Sequence, residues 1–173
     1  MRNLELPGRS PAHAVQGMAS TSNPLSTYAA VDVLKSGGNA LDAAVAACAV
    51  QCVVEPESTG IGGDCFCLYS PGGTDKIVTF NGSGRAPAAA TAEWYTSQGI
   101  AKIERQTPHS VTVPSAIDGW DMLLKAHGTK SFGDLLEPAI GYDREGYPLH
   151  SRVSVHYAPP RAVTETEDDM SSV

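Results

Sequence analysis

VEPESTGIGGDCFCLYS, residues 54–70, passes within a few positions from charge and proline through glycine to an apolar run. The apolar end predicts a buried strand, because short apolar runs that follow turn residues are typical of strands. The glycine pair in front of it, Gly62 and Gly63, favours either a loop that holds phosphate or a backbone that lies close to a neighbouring group. A dinucleotide-binding fingerprint has its glycines between a strand and the next helix, and a Walker loop has a lysine after them. Here a helix pattern precedes the glycines and Asp64 follows them, so we expect close backbone approach at a packed or catalytic site.

Two helix start signals lie on the N-terminal side of this stretch. Asn23 before a proline predicts a first helix, whose apolar stripe is expected on Tyr28 and the residues that follow it at threes, Val31 and Leu34. Asn39, followed by an acid at capping-box spacing, predicts a second helix. That helix, ALDAAVAACAVQC, is apolar nearly all round, so we expect it to lie in the core with neighbours close on several sides.

The residues after the glycine pair predict a hairpin followed by helices. CFCLYS and KIVTFNG are apolar runs separated by PGGTD, which is typical of a β-hairpin. SVTVP predicts a further strand, and Ser115 predicts the start of a helix, with Asp118 at capping-box spacing. Trp94 and Trp120 are expected in the core. This order of elements indicates an α+β chain without the regular alternation of a doubly wound sheet.

Composition excludes several classes of protein. The chain has 173 residues, the size of one ordinary domain, and a net charge of −7 without a basic cluster, which argues against a nucleic-acid partner. Its longest apolar run covers residues 43–50, whereas a membrane span needs roughly 20 residues, so we expect no membrane partner.

The four cysteines indicate a reducing compartment. They are too few for a disulfide framework, which favours a cytoplasmic location. No CxxC spacing is present, so buried free thiols are favoured over zinc ligands and we expect no metal site. These residues are Cys48, Cys52, Cys65 and Cys67.

Four stretches of the chain together resemble the N-terminal part of the large subunit in the gamma-glutamyltransferase family (glutathione hydrolase proenzymes). They are ASTSNPLSTYAAVDVLKSGGNALDAAVAACAVQCVVEPESTGIGGDCF, FNGSGRAPAAAT, SVTVPSAIDGW and FGDLLEPAIGYDREGYPL, and they occur in the family's order. The resemblance divides the chain into an N-terminal extension (1–12), a gamma-glutamyltransferase-like large-subunit segment (13–158) and a tail (159–173). The tail is acidic and poor in apolar residues, so we expect it to be disordered.

The resemblance implies part of an N-terminal-nucleophile hydrolase, a four-layer αββα sandwich whose precursor cuts itself into a large and a small subunit. In this family the new N-terminal threonine of the small subunit attacks a gamma-glutamyl amide of the glutathione type, and the acyl group passes to water or to an amino acid. The freed α-amine, with a pKa near 8, can activate that hydroxyl, and backbone amides hold the oxyanion. No metal or organic cofactor is implied.

The chain stops before the family's processing site, so we expect no catalytic residue within it and no activity from it alone. Thr107 and His109 have the spacing of a Thr-x-His start, but their surroundings match the approach to the SVTVP strand inside the large subunit. The expected partners are therefore a gamma-glutamyl small molecule, the remainder of the large subunit and the small catalytic subunit, and a homo-oligomer is allowed.

The candidate substrate-binding residues are Ser83 and Arg85. In the family, an arginine four residues before the proline of the AP pair holds the glutamyl α-carboxylate, and a bidentate guanidinium suits that task. Here that register falls on Ser83, and the arginine stands two residues later. Two interpretations of Arg85 stay open: it reaches the same carboxylate from a shifted loop, or it forms a structural salt bridge.

The alternative from another functional class is a non-enzymatic amino-acid-binding or scaffold module derived from the same fold. Such a module would fold by itself as a stable monomer. An exposed apolar sheet face would instead favour one part of a larger sandwich.

Overall fold

The computed structural model describes residues 11–105, 107–151, 153 and 154. Within these residues the helices and strands are α1 (Pro24–Lys35), α2 (Ala40–Val54), β1 (Cys65–Tyr69), β2 (Val78–Gly82), α3 (Ala92–Ser97), α4 (Ala116–His127) and α5 (Phe132–Glu145). None of the described helices is both long enough and apolar enough to span a membrane. The expected tail at 159–173, and all but the last two residues of the expected extension at 1–12, lie outside the described residues.

Helix α2 is the centre of the core, as its all-round apolar sequence predicts. It packs against α1 on one side and α5 on another, and it also contacts α4. Alanines and valines on several faces of the helix let these neighbours approach closely. Its buried residues are Leu41, Asp42, Ala43, Val45, Ala46, Ala47, Ala49, Val50 and Val54.

Helix α1 begins as predicted but buries a different face. Asn23 caps it by accepting a hydrogen bond from Leu25 N at 2.9 Å. The expected stripe is wrong at Tyr28, which is 64% exposed, whereas Leu34 at its other end packs against the core. The buried residues of α1 are small, since the alanine-rich surface of α2 leaves little room between the two helices. They are Ser26, Ala29, Ala30 and Val33.

The start of α2 ties the helices together through one buried carboxylate. Asp42 closes the predicted capping box with Asn39, and its side chain also accepts hydrogen bonds from the backbone and hydroxyl of Thr129, in the connection between α4 and α5. Burial by itself raises the pKa of Asp42, but the hydrogen bonds from Thr129, Asn39 and Lys130 outweigh that effect, so the pKa lies below its ordinary value.

The start of α4 differs from the prediction. Ser115 occupies the N-cap position without a side-chain capping bond, so the expected capping box with Asp118 is absent. The backbone N–H groups of Ser115 and Ala116 instead donate to the carbonyl of Gly63, at 3.0 and 3.1 Å. The carbonyl of Gly63, in the loop of residues 60–63 (the glycine loop), therefore accepts hydrogen bonds from backbone N–H groups that a capping side chain usually accepts at the start of a helix.

Strands β1 and β2 form the predicted antiparallel hairpin, with Cys65 opposite Gly82 and Tyr69 opposite Val78. Gly72 and Gly73 in the turn have positive φ, as the turn signal implies. The hairpin has an inner face that contacts α4 and an outer face that is exposed. On the outer face Phe66 is 65% exposed and Leu68 is 79% exposed.

Two further expectations for this half of the chain are wrong. SVTVP forms no strand. Its backbone bonds to the segment after β2 through Val113 N, which donates to Arg85 O at 3.0 Å. Trp120 lies in the core with 5% exposure, as expected, but Trp94 is 41% exposed. The short helix α3 that carries Trp94 buries none of its residues.

Candidate functional site

Both predicted substrate-binding residues line one surface depression, here called the polar cleft. It has a volume of about 440 Å³ and lies between the end of β2, residues 113–115 and the first turns of α4. Its polar side chains come from two directions, the segment that ends β2 and the start of α4. They are Asn81, Ser83, Arg85, Ser115 and Asp118.

The segment that carries Ser83 and Arg85 is fixed at both ends. Asn81 Oδ1 accepts a hydrogen bond from Ser83 N at 3.0 Å, which shapes the chain directly after β2. The Ser115 hydroxyl donates to the carbonyl of Gly82, and Val113 N donates to the carbonyl of Arg85. The polar cleft therefore has a backbone that is tied to the start of α4 on each side of Ser83.

The guanidinium of Arg85 is open to solvent. Arg85 and Ser83 are both exposed. The ion pairs among the described residues are Lys102 with Glu104 and Lys125 with Asp121, so the salt-bridge interpretation of Arg85 has no partner in that part of the chain. An exposed arginine in a polar cleft can form a bidentate pair with the carboxylate of a ligand.

The glycine loop contributes to this region in a different way from the one expected. A methyl group built on Gly62 would meet nothing within 4 Å, and one on Gly63 would come no closer than 3.6 Å to Gly60 O. Neither glycine has a positive φ. Within the described residues, neither position therefore needs a glycine to avoid a clash. The backbone does approach a neighbouring segment at Gly63, whose carbonyl receives the start of α4.

A backbone contact too close for any side chain occurs at Gly84, which sequence reasoning missed. A methyl group there would lie 1.9 Å from Val113 O. The signal was present in the run NGSG, which reads as an irregular turn, but the residue that crowds it is distant in sequence and does not appear in any local pattern.

The Thr-x-His spacing brings no nucleophile and base together. The Thr107 hydroxyl donates to Glu104 O at 2.9 Å, within its own turn. The ring of His109 packs against the rings of Trp94 and Tyr95, with centroids 5.7 and 5.4 Å away. The expected structural role at the edge of a strand is also wrong, because residues 108–110 form a single helical turn and residues 111–114, which follow it, form no strand.

The thiols are free but less buried than expected. Cys48 is exposed to a cavity of about 720 Å³ between α1, α2 and residues 16–22, and the others are half-buried. Although the residue is exposed along the cavity, surrounding protein atoms desolvate its thiolate, and this effect, with a smaller one from the neighbouring cysteines, raises the pKa of Cys48 to about 11. Burial also raises the pKa of Cys52, Cys65 and Cys67. These groups are protonated at neutral pH and are poor nucleophiles.

The described residues contain no group of three or more histidine, cysteine, aspartate or glutamate side chains placed to hold a metal ion. The polar cleft combines the guanidinium of Arg85 and the carboxylate of Asp118 with the hydroxyl of Ser83 and the amide of Asn81, groups that can form hydrogen bonds to a charged or polar ligand.

Comparison with known proteins gives consistent results. The family model described as Gamma-glutamyltranspeptidase matches residues 26–170. The glutathione hydrolase-like YwrD proenzyme of Bacillus subtilis (strain 168) is 40% identical over 125 residues, which cover 72% of this chain and 24% of that protein. The chain thus spans about a quarter of the length of the curated relatives that it matches first.

Two solved structures extend the likeness to the fold. The gamma-glutamyltranspeptidase of Helicobacter pylori is 31% identical with a TM-score of 0.77, covering 85% of this chain and 43% of that chain. The cephalosporin acylase of Bacillus halodurans is 36% identical with a TM-score of 0.77, covering 96% of this chain and 31% of that chain. The predicted fold class, α+β and part of an N-terminal-nucleophile hydrolase sandwich, is confirmed.

Proposed function

Because this chain belongs to the gamma-glutamyltranspeptidase family, we propose that it supplies one wall of a gamma-glutamyl amide site in which Arg85 binds the substrate carboxylate. The observation that carries the proposal is an exposed guanidinium in the polar cleft, without an ion-pair partner among the described residues and on a backbone tied to α4. Ser83, at the register where the family resemblance places the arginine, adds a hydroxyl beside it.

The proposed reaction is acyl transfer from a glutathione-type amide to water or to an amino acid. A threonine hydroxyl outside this chain attacks the amide carbonyl, its proton passes to the α-amine of the same residue and then to the leaving amine, and the ester that forms is opened by water or an amino acid. Within the described chain, the Thr107 hydroxyl is engaged locally and the thiols have raised pKa values. We therefore expect this chain alone to be inactive.

The proposed partner is the second β-layer, from the rest of the large subunit and the small catalytic subunit. Phe66 and Leu68 stand exposed on the outer face of the hairpin, where a facing sheet would bury them. This apolar face also speaks against the non-enzymatic module that folds alone. A copy of the chain that covers the same face would give the homo-oligomer. A cytoplasmic location is part of the proposal and is supported by the free thiols.

A second candidate function is favoured by one feature of the polar cleft. Ser83 stands where the resemblance expects the carboxylate-binding arginine, and a cephalosporin acylase is among the similar structures. The chain would then belong to an amidase whose acyl group carries a carboxylate without the glutamyl α-amine. The two candidates differ in the ligand that Arg85 prefers, an α-amino acid or a simple dicarboxylate.

Nuclear magnetic resonance titration of the ¹⁵N-labelled chain with L-glutamate and with glutarate tests both. We expect millimolar binding that shifts the Arg85 side-chain signal and is lost in Arg85→Gln. Arg144→Gln, at an exposed arginine near the end of α5, is the matched control and should bind as the unchanged chain does. Preference for L-glutamate supports the first candidate and preference for glutarate the second.

Two results would contradict the proposal. Equal binding by Arg85→Gln and the unchanged chain removes the role of Arg85. Release of aniline from a gamma-glutamyl anilide by the purified chain alone shows that the nucleophile lies within it.

A further inference from the structure

We infer that Gly84 is the positioning residue that directs Arg85 into the polar cleft, an inference that rests on the proposed function of Arg85. In this role Gly84 acts through its backbone rather than by binding the ligand. It acts by allowing the backbone of its own segment to lie directly against residues 112 and 113.

The first step of the argument is the alternation of exposure along β2 and beyond it. Along β2, partly buried and exposed residues alternate, with Asn81 exposed and Gly82 buried. The alternation continues after the strand ends: Ser83 is exposed, Gly84 is partly buried and Arg85 is exposed. The exposure pattern and the contacts of Gly84 therefore place Ser83 and Arg85 toward solvent, as Asn81 is, and Gly84 toward residues 112 and 113.

The second step is what Gly84 meets on that side. A methyl group there would lie 1.9 Å from Val113 O, 2.7 Å from Thr112 Oγ1 and 2.9 Å from Val113 C. The first and last of these atoms belong to the backbone, which cannot turn aside as the end of a flexible side chain does. Any residue with a Cβ at position 84 therefore forces the two segments apart.

The third step is the bond that this separation would break. Val113 N donates to Arg85 O at 3.0 Å, one residue beyond the crowded glycine. That bond fixes the peptide group from which the Arg85 side chain leaves. Loss of the contact at Gly84 would release this peptide group and with it the direction of the guanidinium.

This arrangement also accounts for an arginine two residues later than the family resemblance expects. A move of two positions keeps the side chain on the same face and shifts its origin by roughly 7 Å along the chain. The intervening residue has to pack inward without a side chain, and Gly84 does so. Gly84 and Arg85 are therefore one unit, in which the glycine makes the new arginine position usable.

The test compares Gly84→Ala with Gly60→Ala, since a methyl group on Gly60 would meet nothing within 4 Å and its φ is not positive. Hydrogen exchange at the Val113 amide reports the contact between the segments, and glutarate titration reports Arg85. We expect Gly84→Ala to speed exchange at Val113 and to weaken glutarate binding by about tenfold or more, the usual effect of losing a charge-assisted hydrogen bond. Gly60→Ala should change neither.

Val113→Pro provides a second variant in case Gly84→Ala does not fold. It removes the N–H that holds Arg85 O without placing an atom at position 84, and we expect the same loss of glutarate binding. Binding unchanged in either folded variant overturns the inference. If the unchanged chain and Arg85→Gln bind glutarate equally, the proposed function of Arg85 fails. Hydrogen exchange at the Val113 amide then decides whether Gly84 holds the two segments together. Exchange that is the same in Gly84→Ala as in the unchanged chain overturns this part of the inference as well.

Discussion

The helical half of the molecule (α1, α2, α4 and α5) buries many of its side chains and pairs its buried carboxylate internally, whereas the hairpin half (β1, β2 and the residues between β2 and α4) leaves many of its side chains exposed. In the helical half, α2 is enclosed by α1 and α5. The buried carboxylate of Asp42 accepts hydrogen bonds from Asn39 N, at the start of α2, and from Thr129 N, in the connection between α4 and α5. In the hairpin half, Leu68 is 79% exposed and the residues beyond β2 are tied to 113–115 by isolated bonds. The candidate binding residues all lie in the second half. The described residues therefore enclose α2 on several sides but leave the outer face of the hairpin open to solvent.

The two tryptophans give the largest expected difference between the halves. Trp120 is 5% exposed within the core, so Trp120→Ala should lower the free energy of unfolding by about 3–5 kcal/mol. Trp94 is 41% exposed on a helix without buried residues, so Trp94→Ala should cost about 1 kcal/mol or less. Urea unfolding measures both. Similar losses for the two variants would remove the distinction between the halves.

Asp42 tests how far the helical half depends on its buried carboxylate. Asp42→Asn keeps the size but loses the charge that Thr129 and Asn39 hold, and we expect it to cost about 2 kcal/mol at neutral pH. Asp32→Asn, at an exposed position on α1, is the matched control and should have little effect.

The pH dependence of that cost has a definite sign. The folded pKa of Asp42 is lowered, so its contribution is present above the unfolded pKa of about 3.9 and is lost as the pH falls through the folded pKa. The difference between the unchanged chain and Asp42→Asn should therefore shrink on acidification. A difference that stays constant down to the acid limit would show that folding does not lower the pKa of Asp42.

Leu68→Lys should have the smallest effect on folding and a clear one on association. Leu68 is exposed on the outer face, so the free energy of unfolding of the isolated chain should change by about 0.5 kcal/mol or less. Self-association, or assembly with the rest of the sandwich, should weaken by about tenfold because a charge replaces a side chain that would be buried there. Tyr28→Lys, at a 64% exposed position on α1 outside the hairpin, is the control and should leave association unchanged.

Sedimentation of the three proteins over a range of concentrations measures this effect. An unchanged chain that stays monomeric and assembles with no added segment would favour the self-contained binding module over an open sheet.

The sequence predicted those features whose causes lie within a few residues. Asn39 caps α2 and Gly72 turns the hairpin because each acts on its immediate neighbours. The buried face of α1 was predicted wrongly at Tyr28. The space between α1 and α2 depends on the alanines of α2, and the apolar spacing within α1 carries no information about it.

The candidate site shows the same division. Ser83 and Arg85 were found from the family resemblance, and the structure places both in the polar cleft. Gly84 was missed because its importance comes from Val113, far along the chain, and Ser115 was assigned the wrong bond because its hydroxyl is used by Gly82. Long-range contacts of this kind leave no periodic signal in the sequence.

Ser115 has a consequence for how a ligand would meet this wall. Its backbone joins the loop that leaves α2, and its hydroxyl joins the end of β2, so one residue links the core helix, the hairpin and α4. Closing around a carboxylate would require these elements to move together. If Arg85 binds a carboxylate as proposed, we expect little ordering entropy to be lost at its backbone, because these links are in place before the ligand arrives.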